Sequence, residues 1–153
     1  MSREPDQQGR NVDAFLESTL QSVEGAEELV LKAGREAGFP EEELYKLNMA
    51  VRETVVNAVV HGNAYSAHKK VHFQVTTAED HIAVTVSDEG AGFELASVPD
   101  PLAEENLLHQ SGRGILLIRA FVDEFQMRRV SPGGTEVKLV KYLTPESQGS
   151  RKA

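Results

Sequence analysis

Val51-Arg-Glu-Thr-Val-Val-Asn-Ala-Val-Val-His-Gly-Asn63 is the stretch around which the rest of the chain is organised. Its second half is apolar on almost every side, and a helix with that pattern is normally buried. Glu53 and Asn57 lie inside it, four residues apart and therefore on one face. A buried carboxylate is costly unless a charged group meets it. The pair is therefore typical of an acid–base group beside a metal ligand, although a surface pair on a partly exposed stripe remains the alternative.

Composition restricts the class of protein. The 153 residues fit one domain, and 40% hydrophobic with 26% charged residues is an ordinary globular composition. The absence of cysteine excludes disulfides and thiolate metal sites and suits a cytoplasmic protein. A net charge of −8 argues against sequence-independent binding to nucleic acid. We expect no membrane association, because no apolar run approaches the roughly 20 residues of a membrane span and residues 1–10 lack the apolar centre of a signal peptide.

Hydrophobic spacing predicts three helices and five strands around a core. The predicted helices are 22–37, 41–61 and 115–124, and the predicted strands are 12–20, 70–77, 82–86, 125–130 and 136–142. The polar ends, 1–10 and 144–153, are expected to be flexible around one domain at 11–143. Hairpins combined with helices predict an α+β fold, a two-layer sandwich with a mixed, mainly antiparallel sheet and helices on one face.

A first glycine cluster, Asp88-Glu-Gly-Ala-Gly92, follows the end of a predicted strand. An aspartate at that place can accept a hydrogen bond from an exocyclic amino group such as that of adenine. Gly90 and Gly92 let the backbone approach a flat ligand. A plain Asp-Gly turn explains the same residues. A calcium-binding EF-hand loop is excluded, because Gly90 and Gly92 carry no oxygen ligand.

Two further glycine clusters follow. Ser111-Gly-Arg-Gly114 opens a predicted helix, where backbone amides can bind an anion and Arg113 can add positive charge. It is not a Walker A loop, and Leu117 replaces the third glycine of a dinucleotide fingerprint. Gly133-Gly-Thr135 begins the last strand; the hydroxyl of Thr135 can serve a ligand, but a hairpin turn explains the glycines equally well.

In this order the clusters resemble the four sequence boxes of the GHKL ATP-binding superfamily (gyrase, Hsp90, histidine kinases and MutL). The matching sets are Glu53-x-x-x-Asn57, Asp88-x-Gly90-x-Gly92, Gly112-x-Gly114 and Gly134-Thr135, and the match covers residues 12–142. Within the superfamily the chain is similar to the bacterial anti-sigma factor serine kinases. That similarity rests on Asn57-Ala-Val-Val-His-Gly62, on the Asp-Pro-containing segment before Ser111-Gly-Arg-Gly-Ile-Leu-Leu-Ile118, and on Asp123-Glu124.

The resemblance implies a role for each residue of the first two boxes. Asn57 would be a ligand of Mg²⁺, and Glu53 would be the general base that takes a proton from the attacking hydroxyl. Asp88 would bind the amino group of adenine, with Gly90 and Gly92 shaping the floor of the pocket.

The later clusters would cover the phosphates. Residues 94–110 would form a lid, Ser111, Gly112, Arg113 and Gly114 would bind the triphosphate, and Thr135 would lie near the base. Some family members carry an arginine immediately before the Ser-Gly of the lid. Gln110 stands there in this chain, so whether Arg113 reaches the γ-phosphate is open.

The resemblance also implies a function. It is that of an ATP- and Mg²⁺-dependent protein-serine kinase, a homodimer that phosphorylates a small STAS-like anti-sigma antagonist and, when free, binds a sigma factor. A non-catalytic module that binds ATP to gate a partner has the same sequence features. A detached histidine-kinase catalytic domain fits less well, because no dimerising helix with a phosphoacceptor histidine precedes the domain. A gyrase- or MutL-type ATPase needs a transducer domain, and only about ten residues follow Tyr142.

Overall fold

The computed structural model describes residues 11–90, 114–130 and 133–143. The elements in this part are β1 (Asn11–Glu17), α1 (Gln21–Ala37), α2 (Glu41–Asn57), β2 (Lys70–Thr77), β3 (His81–Ser87), α3 (Gly114–Phe121), β4 (Glu124–Arg129) and β5 (Thr135–Tyr142). The expected flexible ends and the expected lid at 94–110 lie outside the described residues. Within these ranges no helix combines the length and the apolar character needed to cross a membrane.

The strands form one sheet in the order β1-β2-β3-β5-β4, and all four neighbouring pairs are antiparallel. Paired residues of an antiparallel ladder point to the same face. One row of such pairs, Ala14, Phe73, Val86, Val137 and Met127, crosses the whole sheet. Phe73, Val86 and Val137 of this row are buried, so this face carries the core.

Helices α1 and α2 cover that face with apolar side chains spaced three and four residues apart. These side chains share one buried cluster with the sheet: Val23, Ala26, Val30, Ala33, Leu44, Leu47, Val51 and Val55. The predicted two-layer α+β architecture is therefore confirmed. The first strand ends at Glu17 rather than at residue 20, because a turn in which Thr19 N–H donates to the Glu17 carbonyl (2.8 Å) leads into α1.

The third helix is shorter than predicted. It ends at Phe121, three residues before the expected end at 124. Asp123 N–H donates to the carbonyl of Val140 (2.9 Å), which draws the chain onto the sheet before β4 begins at Glu124. Hydrogen bonding to β5 thus ends the helix at Phe121, although the helical spacing of apolar residues continues through Val122.

The end of the second helix also differs from the sequence prediction. The regular α-helix stops at Asn57, and Ala58–Gly62 form a single π-helical turn. Its wider ring is closed by Asn63 N–H, which donates to the carbonyl of Ala58 at 2.8 Å. Single π-helical turns are frequently found at functional sites. This one places Gly62 and Asn63 against the loop that follows β3.

A largely buried ion pair joins both layers. Lys141 Nζ on β5 lies 3.0 Å from Glu43 Oε1 in the first turn of α2, with side-chain exposures of 9% and 25%. Lys141 also donates to the carbonyl of Phe121, the last residue of α3, at 3.4 Å. A charged group this deep in the protein is tolerated because it is paired.

The ion pair predicts that replacement of Glu43 destabilises the fold more than replacement of its neighbour Glu42. Glu43→Gln leaves Lys141 without its counter-charge, so we expect the free energy of unfolding to fall by about 1–3 kcal/mol. Glu42 is exposed in the same helical turn, and Glu42→Gln removes the same charge from the helix dipole with a loss of only about 0.5 kcal/mol. Urea unfolding of both variants measures the difference, and equal losses would contradict a role for the ion pair.

Candidate functional site

The candidate site is centred on the carboxylate of Asp88, directly after β3. Asp88 is only 9% exposed. Its Oδ1 accepts a hydrogen bond from Thr135 N–H (3.1 Å), and its own N–H donates to the Thr135 carbonyl (3.0 Å). Because β3 and β5 are neighbours in the sheet, the end of one strand meets the start of the other. The structure therefore brings together Asp88 and Thr135, two residues that the sequence placed in separate clusters.

Glycines allow the backbone to close around this carboxylate. A Cβ added at Gly62 would lie 2.3 Å from Cγ and 2.3 Å from Oδ2 of Asp88. A Cβ added at Gly134, whose φ is +125°, would lie 2.3 Å from the Asp88 carbonyl oxygen. Real Cβ atoms do not approach so closely, so both positions require glycine. Gly90, a predicted site residue, is buried and faces Gly134.

The environment of Asp88 disfavours its charged form. Burial raises the pKa of Asp88 to about 6, and hydrogen bonds from the N–H groups of Thr135 and Gly90 together with the nearby Lys69 ammonium only partly oppose that rise. Among the described residues no cation forms an ion pair with this carboxylate. A buried carboxylate held in this way is a good acceptor for a ligand amino group.

Glu53 and Asn57 lie on α2, the helix that leads to Gly62. Both side chains are half-buried, so the expected burial of Glu53 is only partial. Neither forms a side-chain hydrogen bond to another described residue. Glu53 precedes Gly62 by nine residues, which is roughly 13 Å along a helix. Glu53 and Asp88 therefore belong to opposite ends of the site, and only an extended ligand can join them.

Some predicted site residues lie outside the described residues. They are Gly92 of the adenine pocket and, of the phosphate side, Ser111, Gly112 and Arg113. Gly114 is the first residue of α3. That helix packs on α2 and inserts Ile118, which is 1% exposed, into the core.

Three residues of the site were not predicted. Gly62 entered only as the last residue of the motif Asn57-Ala-Val-Val-His-Gly62, with no role at the site, and neither Asn63 nor Lys69 was singled out. Asn63 is 1% exposed and hydrogen-bonds to the loop that holds Asp88, and Lys69 Nζ donates to the Gly90 carbonyl at 3.1 Å. An amide residue directly after a long apolar helix was the one sequence signal for Asn63.

The described residues contain no group of three histidine, aspartate or glutamate side chains that could hold a metal ion by themselves. Mg²⁺ is usually held by one or two protein oxygens and completes its shell with phosphate and water. Asn57, half-buried and without a side-chain hydrogen bond to another described residue, fits such a single-ligand role. A magnesium site here needs a phosphorylated ligand.

Comparison with known families agrees with this geometry. A model of the histidine kinase-like ATPase domain matches residues 16–141, nearly the whole described chain. The chain belongs to this family. The matched range begins in β1 and ends in β5, so the ATPase domain contains every element of the candidate site.

Two anti-sigma F factors are similar in sequence to this histidine kinase-like ATPase domain. The chain is 30% identical over 105 residues to the anti-sigma F factor of Oceanobacillus iheyensis and 34% identical over 105 residues to that of Bacillus thuringiensis. Each match covers 67% of this chain and 72% of the relative.

A solved structure supports the fold. The crystal structure of the RsbU and RsbW domains of a Mycobacterium tuberculosis protein matches with a TM-score of 0.64 at 19% identity. The match covers 86% of this chain, which spans about a third (32%) of that longer chain. At this identity the likeness concerns the fold alone.

The close approach of Gly62 to Asp88 predicts that one added methyl group at position 62 lowers nucleotide affinity strongly. In Gly62→Ala the new Cβ displaces the Asp88 carboxylate, so we expect the affinity for adenine nucleotides to fall by at least about tenfold. Gly25 in α1 has no heavy atom within 4 Å of an added Cβ. Gly25→Ala is therefore the matched control, with unchanged affinity and up to about 1 kcal/mol more stability. Calorimetric titration with ADP decides, and equal affinities would contradict the contact.

The raised pKa of Asp88 predicts a pH-dependent stability difference. Between about pH 4 and pH 6 the folded protein keeps the Asp88 proton while the unfolded chain, with a pKa near 3.8, releases it. The contribution of Asp88 to stability therefore falls as the pH rises through this window and is constant above it. The free energy of unfolding of Asp88→Asn minus that of the ligand-free wild type should rise from pH 4 to pH 6 and then level. A flat difference in urea unfolding would show an unshifted pKa.

Proposed function

We propose that this chain is an ATP-dependent protein-serine kinase that acts as an anti-sigma factor in a partner-switching module. Its substrate would be a serine on a small STAS-like antagonist protein, and in the free state the kinase would bind a sigma factor. The observation that carries the proposal is the buried Asp88 carboxylate, which lies against Gly62 and accepts from Thr135 N–H, at the end of the helix that presents Glu53 and Asn57.

The shape of the site supports ATP as the ligand. The Asp88 end is closed by glycine backbone and offers a carboxylate acceptor, which suits the flat adenine base and its amino group. The Glu53 end lies roughly 13 Å away along the helix, so the ligand must be extended, with a base at one end and a reacting group at the other. A nucleoside triphosphate has this shape.

The residues of α2 would act at the phosphate end. Asn57 would supply a protein oxygen to Mg²⁺, which when bound neutralises charge on the phosphates. Glu53 would accept the proton of the substrate serine hydroxyl. The serine oxygen would bond to the γ-phosphorus of ATP as ADP leaves. Glu53 suits this role because its half-exposed side chain forms no hydrogen bond to another described residue.

The partners are inferred from the relatives. The relatives that share 30–34% identity with this chain are anti-sigma F factors, and a sigma factor and an antagonist protein are the partners that this name suggests. The surface available for them includes the exposed aromatic side chains Tyr45 and Tyr65. A homodimer is proposed by the same analogy.

The experiment that tests the proposal is phosphoryl transfer from labelled ATP to a purified STAS-like antagonist protein of the same organism. In Glu53→Gln we expect the transfer rate to fall by at least about a hundredfold, because the base is lost, while ADP affinity stays within about twofold. Glu28→Gln, which removes an exposed carboxylate from α1, is the matched control and keeps the wild-type rate.

Three outcomes would contradict parts of the proposal. Wild-type transfer by Glu53→Gln would remove Glu53 from the base role. ATP binding with no transfer to the partner, but with ATP-dependent association, would make the chain a gated binding module. Failure of the wild type to bind ATP or ADP would remove the nucleotide site itself.

A further inference from the structure

Asn63 directly follows the π-helical turn and is almost completely buried, with 1% exposure. A buried amide is costly unless its polar atoms have partners. Asn63 uses both donors and both acceptor positions. Nδ2 donates to Ser18 Oγ (2.9 Å) and to the Lys70 carbonyl (3.0 Å), and Oδ1 accepts from the N–H groups of Glu89 (2.8 Å) and Gly90 (3.1 Å).

These four bonds allow one orientation of the amide group. If the group were rotated by half a turn, its NH₂ would face two backbone N–H donors and its oxygen would face the carbonyl of Lys70. Ser18 is locked as an acceptor, since its own hydroxyl donates to the Lys69 carbonyl at 2.5 Å. The orientation of Asn63 is therefore fixed by its surroundings.

Asn63 holds the loop that carries Asp88. The two N–H groups bound by its oxygen belong to Glu89 and Gly90, the residues directly after Asp88. Its amide nitrogen holds the chain at Ser18, after β1, and at Lys70, the first residue of β2. The loop is thus attached on one side through Asn63 and on the other side through the paired bonds between Asp88 and Thr135.

We propose that Asn63 is a positioning residue that sets the direction of the Asp88 carboxylate and thereby selects adenine over a base without the exocyclic amino group. This inference rests on the proposed nucleotide site. Asn63 acts through the Glu89 and Gly90 amides and does not touch the base. Without its oxygen, the adjacent N–H groups of Glu89 and Gly90 each lose an acceptor, and the loop rotates to replace these bonds. Asp88 rotates with it.

Comparison of ADP with inosine diphosphate (IDP) isolates this role, since IDP carries an oxygen where adenine carries the amino group. Diphosphates also avoid turnover. In the wild type we expect ADP to bind roughly tenfold to a hundredfold more tightly than IDP, the range of one hydrogen bond to a charged acceptor. In Asn63→Ala we expect the ratio to fall below about threefold, mainly through weaker ADP binding. Calorimetric titration of the full chain gives both constants.

Two variants separate positioning from general destabilisation. Asn48→Ala removes a half-buried asparagine of α2 that donates to Glu27 (3.2 Å), outside this network, and should keep the wild-type ADP/IDP ratio. Ser18→Ala removes the hydrogen bonds of Ser18 to Asn63 and to the Lys69 carbonyl. It leaves both bonds from Asn63 to the loop that carries Asp88. It should lower the thermal unfolding temperature while keeping a ratio near that of the wild type.

A conservative variant keeps the test valid if Asn63→Ala does not fold. Asn63→Asp retains an oxygen that accepts from Glu89 and Gly90. It loses the bonds to Ser18 and Lys70 and sets its second oxygen against the Lys70 carbonyl, so it should lower the unfolding temperature but keep more than half of the wild-type ratio. Collapse of the ratio in Asn63→Asp or in Ser18→Ala would overturn the positioning role.

The outcomes distinguish this inference from the proposed function. A wild type that prefers ADP, combined with an unchanged ratio in Asn63→Ala, overturns the role of Asn63 and leaves the nucleotide site intact. A wild type that binds neither diphosphate overturns both. A wild type that binds both equally overturns the assignment of Asp88 to the amino group, and with it this inference.

Discussion

Burial of the Asp88 carboxylate is the constraint on which the site depends. A carboxylate removed from water is unfavourable unless donors surround it, and its pKa near 6 reflects that cost. Three distant parts of the chain meet around it: the end of the π-helical turn at Gly62, the loop after β3, and the start of β5 at Gly134 and Thr135. Each approaches with backbone rather than side chain, which is why two glycines are needed there.

The same constraint separates stability from function. Two of the groups that contact the carboxylate are backbone N–H donors, and none of the described side chains neutralises it as an ion pair. An asparagine in place of Asp88 would keep an oxygen acceptor for Thr135 N–H without a buried charge. The charge of the aspartate is therefore favourable only when a ligand donates to it. Sites that keep such an unfavourable group are expected where function and stability oppose each other.

The sequence predicted what depends on local pattern. Alternation at Val71, Phe73 and Val75 predicted a strand with one face on the core, and the structure confirms it. The glycine clusters marked Asp88 and Thr135 as candidate site residues, and the structure brings these two together. The network of Asn63 could not be predicted, because its partners lie 45 residues away at Ser18 and 26 or 27 away at Glu89 and Gly90. The π-helical turn could not be predicted for a related reason. Its extra residue is accommodated by tertiary contacts and leaves the spacing of apolar residues almost unchanged.

Helix α2 is fixed at both ends by polar contacts of different kinds. At its start Glu43 pairs with Lys141 of β5, and just beyond its end Asn63 is bound to the loop after β3. Glu53 and Asn57 lie between these two attachments, so their positions relative to Asp88 are set by a helix that can neither slide nor tilt without breaking one of them. Phosphoryl transfer depends on holding a base, a metal ligand and a nucleotide at fixed separations. In the proposed phosphoryl transfer, the two attachments of α2 would serve the reaction as much as the fold, although neither would touch the reacting atoms.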